Sequence, residues 1–200
     1  MTLRLDRYES FFVVFREPVG GPSTTGPNFP TVTTLAEVSG PWQVQFQTGR
    51  GAPDKLMLDE LCDWSKHPDP GVRFFSGVAT YQGTFGVSES FRVDRGTRLY
   101  VDLGRVAVIA EVTINGRDLG VVWTAPFHVD ATDALRPGTN TIEVRVANLW
   151  PNRLIGDAGL PPEQRVTWTT WNPFAQNTPL LESGLLGPVI VRVAQSAFGE

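Results

Sequence analysis

The sequence predicts an all-β protein, an antiparallel β-sandwich, and three observations carry that expectation. Twenty glycines and 16 prolines punctuate 200 residues, yet hydrophobic residues make up 41% of the chain. That composition signals many turns around a core rather than disorder. The centre of the chain alternates apolar and polar residues in short runs at 97–103, 106–114, 118–123 and 141–147, the period of a half-buried strand. Turn signals separate these runs: Asn115-Gly116, suited to a type I′ hairpin whose two central residues need φ > 0, and Arg136-Pro137-Gly138. A chain of 200 residues is also too short to contain a (β/α)8 barrel, which takes about 250.

Taken in order, residues 8–16 have strand composition (Phe11, Phe12, Val13, Val14, Phe15) and stop at Pro18. The run GGPSTTGPNFP, ending at Pro30, is a linker without apolar period. Residues 1–30 therefore read as an N-terminal strand and Pro/Gly linker, and 31–200 as the sandwich domain. In 31–46, Val44 and Phe46 face one way and Gln43, Gln45 and the following Gln47 the other, and Trp42 reads as core. Residues 50–70 read as a long loop with a helical turn around Leu56, Leu58 and Leu61. Residues 73–85 read as a strand interrupted at Gly77, a position suited to a bulge or a close backbone approach. DATDAL, residues 130–135, reads as one capped turn of helix. Residues 148–179 are long, aromatic and irregular, and 188–194 form a closing strand. Eight to ten strands are expected, with no internal repeat.

Charge and cysteine content narrow the partners. Seventeen Lys and Arg against 21 Asp and Glu give a net charge of -4, which argues against a nucleic-acid binder with its basic stripe. Cys62 is the only cysteine, so neither a disulfide framework nor a Cys-based metal site is expected. No apolar run approaches the roughly 18 residues of a membrane span. The opening MTLRLDRYESFFVVFREP does not read as a signal peptide, because its apolar stretch 11–15 is short and lies among charges.

The stretch from Arg98 to Asn152 carries an ordered set of motifs: Asn115-Gly116, Leu119-Gly120, Trp123, Pro126-Phe127, Asp130 to Asp133, and Pro137 to Asn140. It resembles the galactose-binding-like, jelly-roll sugar-binding domain of family 2 glycoside hydrolases. The flanking segments DWSKHPDPGVRFFSGVATYQGTF, LWPNRLIGD, TWTTWNPF and SGLLGPVIV together resemble the C-terminal region of the α-L-rhamnosidases of glycoside hydrolase family 106. YESFFVVFRE is similar to the strand that leads into that region. The resemblance implies a jelly-roll fold and an accessory role beside a catalytic barrel domain of a longer parent, which carries the catalytic carboxylates. It also implies a periplasmic or extracellular bacterial setting. It supplies no catalytic residue to this chain.

The residues themselves leave the chemistry open between several readings. Glycoside hydrolysis needs two carboxyl groups about 5 to 9.5 Å apart, and Asp59, Glu60, Asp63, Glu111, Asp157, Glu163 and Glu182 are candidates that nothing in the sequence pairs. No Gly-x-Ser-x-Gly is present, and no metal set is assigned. Structural calcium at Asp63/Asp69 or Asp130/Asp133 competes with simple capping by the same carboxylates. Tryptophan is the more informative class, since a flat indole stacks on sugar C–H faces while neighbouring amides, guanidinium and carboxylate groups fix hydroxyls. The expected ligand contacts are Trp123 and His128 on the hairpin side, and Asn152, Arg153, Trp168 and Trp171 on the long loop; in the competing reading the loop folds back to bury its tryptophans and Arg153–Asp157 is a structural ion pair that pins it. The function expected is a non-catalytic carbohydrate-binding module with no cofactor. A small stand-alone glycosidase or lyase, and a purely structural domain propping a barrel, are the alternatives.

Overall fold

The structure, a computed structural model, describes residues 4, 5, 10, 12–14, 16, 29–94 and 96–195. Its strands are β1 (Thr31–Glu37), β2 (Trp42–Phe46), β3 (Lys55–Leu58), β4 (Val78–Val87), β5 (Thr97–Asp102), β6 (Arg105–Ala107), β7 (Ile109–Ile114), β8 (Arg117–Val122), β9 (His128–Asp130), β10 (Gly138–Ala147), β11 (Gly184–Gly187) and β12 (Ile190–Gln195). Two short helices, α1 (Pro70–Arg73) and α2 (Pro151–Ala158), and two 3-10 turns complete the described elements. The strands pair antiparallel into a six-stranded sheet, β3-β2-β4-β10-β7-β8, a four-stranded sheet, β1-β12-β5-β9, and a small ribbon of β11 and β6.

This all-β sandwich follows from the pattern of the strands. Along β10, Asn140, Ile142, Val144 and Val146 are buried while Thr141 and Arg145 face solvent. β2, β5 and β7 bury alternate residues in the same way. The inward sets of the two large sheets meet in one core, the arrangement that lets an antiparallel sheet keep one face wet. The hairpin between β7 and β8 turns through Asn115 at φ 51° and Gly116 at φ 80°, the left-handed pair a type I′ turn demands.

At one end of this core four rings interlock. Phe46 lies 4.8 Å from Phe75 and 5.3 Å from Trp64, and Trp64 stacks on Tyr81 at 5.9 Å. The buried Tyr81 hydroxyl accepts the Leu185 N–H at 3.0 Å, tying β11 to the core. Burial drives the Tyr81 pKa upward, so the phenol stays protonated.

Three sequence expectations are corrected. Leu56 and Leu58 lie in a strand, β3, rather than in a helical turn, because Trp42, Val44 and their neighbours offer a sheet edge to pair with. The helical turns of that region come later, at Trp64–Lys66 and Pro70–Arg73, where Asp63 and Asp69 accept the Ser65 and Gly71 N–H groups as N-caps. Arg73 therefore ends a helix, and the next strand starts only at Val78, after Gly77. Asp130 ends β9 and accepts the Thr132 N–H, and the expected helical turn is a hydrogen-bonded turn over Thr132–Ala134, closed by the Ala134 and Leu135 N–H groups on the Ala131 carbonyl, rather than a helix. Of the strand expected over 8–16, the described residues 10, 12–14 and 16 are in no strand; its remaining residues and the linker through residue 28 lie outside the described residues. No helix of the described residues is long and apolar enough to cross a membrane.

Candidate functional site

Strand register gathers an apolar rim at one end of the six-stranded sheet. Val122 pairs with Ala110, and Ile109 pairs with Ala147. Trp123 therefore follows β8, Val108 precedes β7, and Leu149 and Trp150 follow β10, all at that end. Trp123 is 72% exposed and Trp150 50%, and Val108, Ile109 and Leu149 are exposed beside them. The Arg50 guanidinium lies 5.0 Å from the centre of the Trp150 ring, a cation–π contact at the protein surface. From Trp123 the chain crosses to the other sheet, where His128 opens β9, exposed, with its ring 5.2 Å from Tyr100.

Beyond Trp150 the rim continues onto α2 and the loop that returns to β11. Pro151 sits at the first helical position, where its fixed φ is suited to a helix and its missing N–H is no loss. One face of α2 buries Asn152, Arg153, Ile155 and Asp157. Asn152 holds Leu181 from both sides: its Nδ2 donates to the Leu181 carbonyl at 2.7 Å, and its Oδ1 accepts the Leu181 N–H at 2.8 Å. Arg153 pairs with Asp157 at 2.9 Å and lies 5.8 Å from the Phe74 ring centre. Asp157 also accepts hydrogen bonds from the Val166 and Thr167 N–H groups and the Thr167 hydroxyl. Asn172 Nδ2 donates to the Leu154 carbonyl at 2.9 Å.

The loop is thus fastened at Thr167 and again at Asn172, and between those anchors Trp168 and Trp171 stand 85% and 74% exposed. The expected set of contacts divides accordingly. Trp123, His128, Trp168 and Trp171 are at the surface. Asn152 and Arg153 are not, which corrects their expected role as ligand contacts: both are buried, because the returning loop and Asp157 offer them partners that water would otherwise supply. Trp64, also in a loop segment, belongs to the core.

The carboxylates weighed for calcium make contacts within the chain. Asp63 Oδ1 accepts the Ser65 and Ser183 N–H groups, and its Oδ2 lies 3.5 Å from the Lys66 ammonium. Burial alone would raise its pKa, but these hydrogen bonds and Lys66 outweigh it and hold the carboxyl below its ordinary range. Asp130 behaves likewise: burial raises its pKa, and the Thr132 hydrogen bonds and Arg98 lower it further than that. Asp69 caps α1, and Asp133 lies 3.6 Å from Arg117. These contacts engage one oxygen each of Asp69 and Asp133, while Asp63 Oδ2 is buried with Lys66 at 3.5 Å and no hydrogen-bond partner among the described residues. Among the described residues no group of three or more His, Cys, Asp or Glu side chains is assembled for a metal. Of the carboxylates weighed for catalysis, Asp63, Glu111, Asp157 and Glu182 are in ion pairs with Lys66, Arg145, Arg153 and Arg105.

The sequence reading passed over one surface, the outer face of the six-stranded sheet. There a groove of about 460 Å³ is lined by Gln43, Gln82, Thr84, Thr113 and Glu143 among others. Its only trace in the sequence is the polar half of the strand alternation, which marks any wet sheet face.

Antiparallel sheets packed face to face around one core, with exposed tryptophans at the edge, define the class of an all-β sandwich domain. The comparisons with known proteins place that class more closely. No model of a protein family matches the chain. It is 43% identical to the rhamnosidase from Novosphingobium sp. PP1Y over 86% of its own length and 16% of that chain, with a TM-score of 0.79. A protein of Formosa agariphila that carries the name of a beta-glucuronidase is 39% identical, again over 86% of this chain and 16% of that protein. A beta-D-glucuronidase structure from Dictyoglomus thermophilum shares the fold at 17% identity, with a TM-score of 0.55, over 86% of this chain and 29% of that one. The chain thus spans about one sixth of the length of the first two and matches a β-sandwich region of that size in the rhamnosidase structure.

Proposed function

We propose that this chain is a non-catalytic carbohydrate-binding accessory module of an α-L-rhamnosidase-like glycoside hydrolase of family 106 type, with the galactose-binding-like jelly-roll topology. The observation that carries the reading is the pair Trp168 and Trp171, exposed on a loop fastened at Thr167 and Asn172. An indole held in water is unfavourable unless something covers it, and a rigid mount removes the ordering cost from binding. Sugar rings supply the flat C–H faces such indoles stack on, and Trp123 and His128 are exposed as well. The ligand is a rhamnose-containing plant or microbial polysaccharide, met outside the cell or in the periplasm.

Affinity electrophoresis and calorimetric titration against a polysaccharide panel test this. Retardation by a rhamnose-containing polymer that the Trp168→Ala, Trp171→Ala double variant abolishes is the expected result. Equal retardation of the two proteins would overturn it.

One observation favours a second reading. The rim is continued by the aliphatic residues Val108, Ile109 and Leu149, which suit packing against a neighbouring domain better than a sugar. In that case the rim is covered by the catalytic domain of the parent, and neither tryptophan changes polysaccharide retention.

A further inference from the structure

The geometry points to a second glycan site, on the outer face of the six-stranded sheet, shaped for an uncharged oligosaccharide chain lying across the strands. Register sets Met57, Gln43, Gln82, Glu143 and Thr113 side by side on β3, β2, β4, β10 and β7. At strand spacing this row spans about 19 Å. Their sequence neighbours Trp42, Val44, Tyr81, Ile142, Val144, Val112 and Ile114 are buried, so the alternation of each strand turns the row outward. Thr84 and Thr141 pair directly alongside.

A polar outer face is the default of an antiparallel sheet; an open groove of about 460 Å³ along it is not, and that volume lies in the range of ligand sites. The lining chemistry selects the occupant. Amides and hydroxyls both donate and accept, which is what a chain of sugar hydroxyls requires at every step along its length. Gln82 Nε2 donates to Glu143 Oε2 at 2.9 Å, so the carboxylate is oriented before a ligand arrives. Its remaining acceptor capacity is charge-assisted toward a hydroxyl donor. No lysine or arginine lines the groove, so a polyanion would meet Glu143 without compensation. The lining also lacks the aromatic and arginine anchors on which protein interfaces depend.

This inference takes its class of ligand from the carbohydrate-binding reading but uses different residues, so the two fail separately. The test is a titration of the isotope-labelled chain with neutral tri- to hexasaccharides of rhamnose, galactose, glucose, xylose and mannose. It follows the side-chain amide signals of Gln43 and Gln82 and the indole signals of Trp168 and Trp171. Saturable movement of the amide signals is expected, with Glu143→Ala weakening that binding about tenfold or more at an unchanged unfolding temperature. Movement of the indoles alone keeps the rim as the site and overturns the groove, while movement of the amides alone does the reverse. Still amide signals across the whole panel, or an affinity untouched by Glu143→Ala, overturns the groove.

Discussion

The aromatic rim and the outer sheet face hold their exposed side chains by different means. On the face, Gln43, Gln82, Glu143 and Thr113 stand on strands whose backbone pairing runs across the sheet, so no single side chain keeps the surface in shape. On the rim, Trp168 and Trp171 have no strand beneath them. Their loop is held by buried polar side chains of α2, Asn152 and Asp157, with Arg153 neutralising Asp157. Backbone-built surfaces tolerate substitution, whereas a surface built from a few buried polar contacts stands or falls with each of them.

That difference can be broken by substitution. Asp157→Ala has the largest expected effect: it strands the buried Arg153 guanidinium and releases the Val166 and Thr167 N–H groups. Loss of one partner of a buried pair costs about 3–5 kcal/mol, read by chemical denaturation, with new proteolytic cleavage in the 160–182 loop. Glu143→Ala on the face should cost less than about 0.5 kcal/mol, and equal costs for the two would end the comparison. Asn152→Ala leaves the Leu181 N–H and carbonyl without their partner and should cost about 2 kcal/mol.

A smaller and pH-dependent effect belongs to Asp63, which receives the returning loop at Ser183. Its carboxyl lies below its ordinary range in the folded chain. Its contribution to stability is therefore full above the unfolded value of about 3.9 and is lost as pH falls through the lower folded value. Denaturation midpoints should drop across that acid window, and Asp63→Asn should flatten that part of the profile. The smallest effect on stability is expected at the rim's own tryptophans: Trp168→Ala should move it by less than about 0.5 kcal/mol, since the ring is 85% exposed.

The strands of the sandwich were legible wherever alternation was long enough to read, as in β4, β7 and β10, and so was the Asn115-Gly116 hairpin, whose φ angles of 51° and 80° only such residues adopt cheaply. Trp42 was rightly placed in the core. β3 was missed because four residues, Lys55–Leu58, are too few to show a period. Asn152 and Arg153 were misplaced because polar residues in a Pro-rich segment read as surface.

Composition and alternation thus determined a β-sandwich by themselves, since burying one face of each strand is a local demand written every second residue. They could not determine which tryptophans are covered. Trp64 and Trp168 both lie in segments that read as loop, yet Trp64 is core because Gly184, 120 residues away at φ 97°, has no Cβ where one would stand 2.7 Å from the indole. Trp168 meets no such space and stays in water. Burial of a loop side chain is decided by what distant chain leaves empty for it, and only the tertiary structure brings that chain near.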